Sequence, residues 1–405
     1  MRKVRIAHRA FTGFQKALET QTSTFPSGDA ASFDLVPFDP PDFVARFIEG
    51  DELLTGDWDV VMLLTDWIPL LADRGGIRRL DAWLSVDGPA SWPHDFHDGV
   101  LRLADVDGST WALPYHDGPQ ALIYRTDLFG DPVEREAFKG QFGRDLDAPS
   151  TWQDFLDVAA FFSRREQGLS GCVVAGYPDG HNTVYDFLIQ LWARGGQLLD
   201  GASPAFDSDA GVEAATWLRD LLNSGTCQPD PLAYDSVRAG EVFANGRAAM
   251  MWNWLGFAVA AEMPGSDLQG KIACAPMPGL DGPDGPTLSL YWTLAIPVSA
   301  PDPELSWRLL RHFATPLSDL ITARSGAVAV RLSSWRSPEL REQFSAYSVI
   351  EDAHVSARNI PQIANYPTIN EALNVALDGI YRGGADPRTA LTEAARSLRK
   401  TGAIS

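Results

Sequence analysis

The sequence predicts an α/β fold in two domains, each a largely parallel sheet flanked by helices. Short apolar segments of strand length alternate with amphipathic segments over most of the chain, which is typical of parallel strands joined by helices. The length of 405 residues exceeds what one ordinary core accommodates and fits two domains. The longest apolar runs, such as residues 60–64, have the length of buried strands and fall well short of a membrane span, which needs about 18 residues.

The first third of the chain predicts three strands separated by helices. We predict these elements in chain order: a strand at residues 4–7, a helix from about Phe14, a strand at residues 33–37, a helix over residues 42–54 and a strand at residues 58–63. The third strand runs directly into Asp66 and Trp67. Because open α/β sheets bind ligands at the carboxyl ends of their strands, residues that follow a strand directly are candidate ligand contacts.

The rest of the chain continues the same alternation. Thr151 and Asp154 predict a capping box at the start of a helix, with Asp in place of the usual Glu or Gln. Asp386 before Pro387 predicts the capped start of the last helix. Further strands are predicted at residues 111–114, 121–124, 171–175, 248–251, 271–274 and 290–297, and further helices at residues 184–194, 209–223, 303–314 and 317–324 and after Pro338 and Pro367.

Charge and motif content exclude several functional classes. The formal net charge is -20, from 33 Lys and Arg against 53 Asp and Glu, which disfavours nucleic acid and anionic lipid as partners. The sequence contains no phosphate-binding loop, no dinucleotide fingerprint and no nucleophile elbow. These absences weaken an enzymatic interpretation without removing it, and we expect no cofactor and no catalytic residue.

The three cysteines, Cys172, Cys227 and Cys274, show no C-x-x-C spacing, so neither a zinc site nor a redox motif is predicted. The sequence leaves open whether any two of them form a disulfide. The amino-terminal segment, residues 1–8, has no apolar core and is not predicted to be a secretory signal.

Tryptophan is abundant, at 13 residues, and most are predicted to pack in the core. Those on helical faces with apolar neighbours are assigned to packing: Trp83, Trp152, Trp217 and Trp307. The tryptophans next to predicted strand ends, beside polar residues such as Asn253, are Trp67, Trp252, Trp254 and Trp292. An aromatic ring at such a place can stack on the apolar face of a sugar ring while carboxylates and amides bind its hydroxyls. Core packing remains an equal alternative for each of these four.

Polar residues near strand ends supply the other candidates. Asp66 and Asp117 fit ligand binding, and equally a surface loop or a helix cap. A pair of carboxylates also fits glycosidase chemistry, which depends on their separation. His8, His116 and His181 are scattered without metal-ligand spacing, so we predict hydrogen bonds to a ligand hydroxyl and no metal site.

Several segments together resemble a known family. They are WALP (residues 111–114) followed by LIYRTDLF (122–129), PSTWQDF (149–155), FANGRAAM (243–250), which is similar to F-x-x-G-x-A-A-M, WTLAIP (292–297) and IPQ (360–362). In this order they resemble the family 1 extracellular solute-binding proteins of ABC importers, which include maltose-binding protein. The resemblance spans nearly the whole chain.

The resemblance implies a two-lobed periplasmic-binding-protein fold of type II, in which strands cross between the lobes. The lobes implied are residues 1–122 with 291–325, and residues 123–290 with 326–405. A ligand is expected between the lobes, whose closure around it would be recognised by the importer.

The resemblance also implies ligand positions, one residue at a time. Tyr185 matches an aromatic at the start of a helix, Trp252 a sugar-stacking tryptophan, and Asp66 a carboxylate that binds sugar hydroxyls. His8 and Arg9 occupy the polar turn after the first strand. The remaining candidates are Trp67, His116, Asp117, His181, Asn253, Trp292 and Tyr366. Tyr366 lies near the place of a tryptophan of maltose-binding protein, so maltose itself is not the expected ligand.

The sequence therefore predicts the sugar-binding component of an ABC importer, which delivers a sugar or small oligosaccharide to a membrane permease. The alternatives are a receptor of the same fold for a polyol, polyamine, peptide or metal, and a glycoside-active enzyme. The family implies a periplasmic or cell-surface location. We expect a monomer with no nucleic-acid partner.

Overall fold

The chain forms two compact units in a computed structural model that describes residues 3–26 and 32–401. Unit 1 comprises Met1–Gly118, Ser289–Glu342 and Asn359–Tyr366, and unit 2 comprises Pro119–Leu288, Gln343–Arg358 and Pro367–Ser405. Within the described residues, no helix is both long and apolar enough to cross a membrane. The first two residues of the amino-terminal segment, for which no signal is predicted, lie outside this part of the chain.

The strands follow the predicted order with small changes of boundary. In chain order they are β1 (Lys3–Arg9), β2 (Ser32–Phe38), β3 (Val60–Leu64), β4 (Asp105–Val106), β5 (Ser109–Thr110), β6 (Leu113–His116), β7 (Gln120–Arg125), β8 (Ser170–Val173), β9 (Leu199–Asp200), β10 (Ser203–Pro204), β11 (Ala248–Trp254), β12 (Ile272–Ala275), β13 (Thr287–Leu288), β14 (Trp292–Ala295) and β15 (Ala357–Arg358).

The helices alternate with these strands and dominate the end of the chain. They are α1 (Thr12–Ser23), α2 (Pro40–Phe43), α3 (Glu52–Thr55), α4 (Ile68–Asp73), α5 (Asp81–Asp87), α6 (Asp98–Leu103), α7 (Thr126–Phe129), α8 (Pro132–Phe142), α9 (Trp152–Phe162), α10 (Asn182–Ala193), α11 (Asp209–Asn223), α12 (Ser236–Ala244), α13 (Leu255–Ala261), α14 (Pro303–Phe313), α15 (Pro316–Arg324), α16 (Leu332–Trp335), α17 (Pro338–Gln343), α18 (Ile350–Ser356), α19 (Tyr366–Tyr381) and α20 (Pro387–Thr401). Single turns of other helix types lie at Val44–Ile48, Arg165–Gln167, Pro231–Ala233 and Ser345–Ser348.

The predicted helix caps are present. The Thr151 hydroxyl accepts a hydrogen bond from the Asp154 amide at 3.0 Å, and the Asp154 carboxylate accepts one from the Thr151 amide at 3.2 Å. This reciprocal pair is the predicted capping box, and it fixes the start of α9. The Asp386 carboxylate likewise accepts from the Thr389 amide at 2.9 Å. The helix expected over residues 42–54 is instead divided into α2, a π-helical turn and α3.

The sheet of unit 1 has the strand order β2-β1-β3-β14-β6. β1 pairs in parallel with β2 and β3, whereas β14 is antiparallel to both β3 and β6. The carboxyl ends of β1, β3 and β6 therefore point the same way, beside the amino end of β14. Buried apolar side chains from β1, β3, α1 and α14, among them Val4 and Leu309, form the core of this unit.

The sheet of unit 2 has the strand order β12-β7-β11-β8. β7 is antiparallel to β11 and β12, and β8 is parallel to β11. In each sheet, therefore, one strand opposes the others. In unit 2 this strand is β7, the first strand after the chain enters the unit at Gly118–Pro119. In unit 1 it is β14, the first strand of the sheet after the chain returns at Leu288–Ser289.

The chain leaves unit 1 later than the implied boundary at residue 325. The reason is Arg331, whose fully buried guanidinium donates to the Ala314 carbonyl at 3.1 Å and to the Asp95 carboxylate at 2.8 Å. The Asp319 carboxylate in turn accepts from the backbone amides of Val330 and Arg331. These buried bonds hold the segment after Ser325 to unit 1, which extends to Glu342 and regains Asn359–Tyr366.

Candidate ligand-binding site

Polar and aromatic candidates converge at one edge of the unit 1 sheet. The strand register places Trp292, the first residue of β14, opposite Leu64 at the end of β3 and opposite His116 at the end of β6. Asp66 and Trp67 follow β3, and the carboxyl end of β1 points to the same edge. We define the unit 1 edge as His8, Arg9, Asp66, Trp67, His116, Asp117 and Trp292.

Both acidic residues of the unit 1 edge are buried. Asp66 is 3% exposed and Asp117 is 0% exposed. Burial and the negative charge of Asp66 raise the pKa of Tyr366, so this tyrosine belongs to the same electrostatic neighbourhood. Burial and the charge of Asp117 likewise raise the pKa of Tyr291. Neutral phenols therefore lie beside the buried carboxylates of the edge, and the Tyr291 hydroxyl already donates to the Val100 carbonyl. The carboxylates are strong acceptors for hydroxyl groups.

His116 is neutral beside Asp117. Its Nδ1 lies 2.9 Å from the Val328 amide nitrogen and 3.2 Å from the Val328 carbonyl oxygen, so the backbone of Val328 fixes the position of the ring. Burial lowers the pKa of His116 to about 4, although the charge of Asp117 raises it. At neutral pH the imidazole thus serves as an uncharged hydrogen-bond donor.

The end of β1 carries a second buried histidine and an ion pair. The Nδ1 of His8 lies 2.9 Å from the Arg9 carbonyl, and burial lowers the pKa of His8. The Arg9 guanidinium donates to the Asp39 carboxylate at 2.5 Å. The positive charge at this edge is therefore already compensated by a carboxylate from the β2 side of the sheet.

The two tryptophans of the unit 1 edge contact each other. The ring centroids of Trp67 and Trp292 lie 5.9 Å apart at 84°, and Phe43 packs against both, at 5.9 and 5.6 Å. Trp67 is buried, whereas Trp292 is partly exposed. Of this pair, Trp292 is better placed to offer a ring face to a ligand.

In unit 2, Trp252 lies within an aromatic cluster. It is 3% exposed, and its ring centroid lies 5.3 Å from Trp152, 5.2 Å from Phe155 and 6.3 Å from Trp217. The sequence predicts a strand over residues 248–251 that ends before Trp252, whereas β11 continues to Trp254. Trp252 is thus inside the strand, with its side chain under α9 and α11. Its stacking role remains a prediction.

The other unit 2 candidates occupy two different places. Tyr185, which is fully buried, lies with its ring centroid 5.8 Å from His181 and 5.9 Å from Trp254. The indole of Trp254 also points to the Asn182 side chain, at 3.4 Å, so these residues gather at the start of α10. Asn253 belongs to the opposite face of β11, and its side-chain amide donates to the Ser236 carbonyl at 3.1 Å.

A buried polar cluster in unit 2 was not predicted. It consists of Gln120, Asp186 and Tyr381, each at most 7% exposed. Burial raises the pKa of Asp186 to about 7, partly offset by hydrogen bonding with the side chain of Trp252. The charge of Asp186 in turn raises the pKa of Tyr381. The one available signal was that Asp186 is the only charged residue of α10.

The described residues contain no group of three or more His, Cys, Asp or Glu side chains that could hold a metal ion. Cys172 and Cys227 are buried side by side, whereas Cys274 contacts Ser345.

Comparison with known proteins identifies relatives that match nearly the whole chain. A binding protein of Brucella abortus (strain 2308) is 21% identical over 399 residues, covering 95% of this chain and 88% of that protein. The maltose-bound structure of MalE3 from T. maritima has a TM-score of 0.85 at 21% identity, covering 99% and 100% of the two chains. The ribitol complex of an ABC transporter solute-binding protein from Agrobacterium radiobacter K84 has a TM-score of 0.85 at 22% identity, covering 99% and 98%.

These structural matches confirm the predicted α/β fold of the type II periplasmic binding proteins. Residues 9–316, more than half of the chain, match the family model described as bacterial extracellular solute-binding protein. This match confirms the resemblance inferred from the sequence segments. The chain therefore belongs to the bacterial extracellular solute-binding proteins.

Proposed function

We propose that this protein is the substrate-binding component of an ABC importer and that it binds a sugar or sugar alcohol without turnover. The observation that carries the proposal is the unit 1 edge, where buried Asp66 and Asp117, neutral His116 and the Trp292 ring meet at adjacent strand ends. Carboxylates and a neutral imidazole suit hydroxyl groups, and an indole face suits the C–H face of a carbohydrate.

The ring and the structural relatives, rather than the charges of the edge, support a neutral ligand. Because the Arg9 guanidinium is paired with Asp39 at 2.5 Å, Asp66 and Asp117 leave the edge with a net negative charge that would also suit a polycation. The partly exposed Trp292 ring suits the C–H face of a carbohydrate. The ligands of the two structural relatives, maltose and ribitol, belong to the neutral class.

The family and its relatives place the protein in transport. We propose that it works outside the cytoplasm, in the periplasm or at the cell surface, and delivers its ligand to membrane permease subunits. We further propose that it acts as a monomer without a nucleic-acid partner, since its net charge of -20 repels phosphate backbones. Its role is recognition, which needs no catalytic residue.

A thermal-shift titration of the purified protein tests the ligand class. The probes are maltose, ribitol, mannitol and spermidine, each over a wide concentration range. A bound probe at 100 times its Kd stabilises the folded state by about 2.7 kcal/mol and raises the Tm. We expect a shift with at least one sugar or polyol and none with spermidine. A shift with spermidine alone would contradict the carbohydrate assignment.

A turnover assay separates binding from catalysis. The protein is incubated with aryl glycosides, and the released phenol is measured by absorbance. We expect no release above that of a heat-denatured sample. Steady release that scales with protein concentration would instead support the glycoside-active alternative.

A further inference from the structure

Two buried cysteines face each other at the edge of the unit 2 sheet. The Sγ atoms of Cys172, on β8, and Cys227, after α11, lie 3.6 Å apart, and the two residues are bridge partners in a parallel arrangement. Cys172 is 0% exposed and Cys227 is 2% exposed. Bridge partners on neighbouring strands have the Cα separation of about 5 Å that a disulfide requires.

Hydrogen bonds on both sides fix the register of this pair. The Thr226 carbonyl accepts from the Gly171 amide at 3.0 Å and from the Cys172 amide at 3.2 Å. On the other side, the Gln228 side chain accepts from the Val174 amide at 3.0 Å and donates to the Val174 carbonyl at 2.6 Å. These bonds bracket the cysteines, so small side-chain rotations suffice to bring the sulfurs to the bonded distance of about 2.05 Å.

The third cysteine is kept away from the pair. Cys274 lies on β12, at the opposite end of the strand order from β8. Three strand spacings separate these two strands, which is about 14 Å. The Sγ of Cys274 lies 3.2 Å from the Ser345 hydroxyl. Only the pairing of Cys172 with Cys227 is therefore compatible with the fold of unit 2.

We propose that Cys172 and Cys227 form a disulfide in the working protein. The inference uses the extracellular location given under the proposed function, because disulfides persist in oxidising compartments. In the reaction, one cysteine thiolate attacks a small-molecule or protein disulfide and releases one thiol. The second cysteine thiolate then displaces the other, so that one S–S bond forms, the oxidant gains two electrons and two thiols leave.

Burial determines when this reaction occurs. Hydrogen bonding with Cys227 and burial raise the pKa of Cys172, and a buried thiol of raised pKa reacts slowly. The bond therefore forms while the chain folds, before β8 and the segment after α11 are covered. Once formed, it closes a loop of about 55 residues that contains α10 and α11 and so restricts the unfolded chain.

Thiol counting on the full chain tests the proposal without any ligand. The protein is refolded with a mixture of reduced and oxidised glutathione, denatured in acid and labelled with a maleimide, with and without prior reduction. We expect one labelled thiol before reduction and three after it, and an intact mass about 2 Da below that of the reduced chain. Three labelled thiols before reduction would overturn the proposal.

Two variants identify the partners and separate this result from the proposed function. Cys274→Ala is expected to show no labelled thiol before reduction and two after it, whereas Cys172→Ala shows two in both states. Reduction is expected to lower the Tm of the refolded protein by at least about 5 °C and to leave the Tm of Cys172→Ala unchanged. Loss of a label from Cys172→Ala on oxidation would show a different pairing. None of these readouts depends on what the protein binds.

Discussion

The two units contain similar sheets but place their candidate residues differently. In unit 1, Asp66, Trp67 and Asp117 follow the last residues of parallel strands and gather at one edge. In unit 2, Trp252 lies two residues inside β11, where helices cover its face of the sheet. The same residue type is thus a ligand-contact candidate or a core residue according to whether the strand ends before it or after it.

Two buried charged groups, one in each unit, differ in how well their charge is compensated. In unit 1, the buried Arg331 is paired with Asp95 and bonded to backbone carbonyls, so its charge is compensated. In unit 2, burial raises the pKa of Asp186 to about 7, which means that its charge is poorly compensated. A buried carboxyl of this kind costs stability whenever it ionises.

The largest predicted effect separates core from ligand contact among the tryptophans. Trp252→Ala is expected to cost about 3–5 kcal/mol of unfolding free energy, because it removes a ring that three aromatic neighbours enclose. Urea unfolding measures this cost. The matched variant Trp292→Ala, at the partly exposed edge of unit 1, is expected to cost less than half as much. Equal urea midpoints for Trp252→Ala and the unchanged protein would contradict the assignment of Trp252 to the core.

The second prediction concerns pH and Asp186. The pKa of this carboxyl is about 7 in the folded protein and about 3.9 in the unfolded chain. The folded state therefore binds the proton of this carboxyl more tightly than the unfolded chain does. The stability that this proton binding contributes is fully present below about pH 4 and is lost as the pH rises through 7. Asp186→Asn keeps the shape and removes this loss, which is on the order of 2–4 kcal/mol.

Urea unfolding at pH 5 and pH 8 checks this sign. Asp186→Asn should gain stability relative to the unchanged protein on going from pH 5 to pH 8. The control is Asp220→Asn, since the Asp220 side chain is 63% exposed. This replacement should change the free energy of unfolding by the same amount at pH 5 and at pH 8. If the two variants respond alike to pH, Asp186 does not carry the buried charge that its surroundings indicate.

The sequence was sufficient for the fold class and for the helix starts that depend on local chemistry. The capping box of Thr151 and Asp154 is a contact between residues three apart, so the sequence displays both partners. The strand-end rule also selected Asp66, Trp67 and Asp117 as candidates, because α/β sheets bind ligands at the carboxyl ends of their strands.

Features set by distant contacts could not be predicted in the same way. The later departure from unit 1 depends on Arg331 reaching Asp95, which lies more than 200 residues earlier in the chain. The buried cluster of Gln120, Asp186 and Tyr381 likewise joins three separate segments. Whether Trp252 lies inside or after β11 depends on where the strand ends. β11 ends three residues later than the apolar pattern predicts, and such boundaries are not resolved by the pattern.

Isothermal titration calorimetry of Asp66→Asn tests the central claim most directly, namely that the unit 1 edge binds the ligand. The titrant is the sugar or polyol that gives the largest thermal shift, and Asp220→Asn is the control. Because a hydrogen bond to a charged group is worth about 1.5–3 kcal/mol, we predict an affinity at least tenfold weaker for Asp66→Asn and an unchanged affinity for the control. Equal affinities for Asp66→Asn and the unchanged protein, with both folded, would contradict the account.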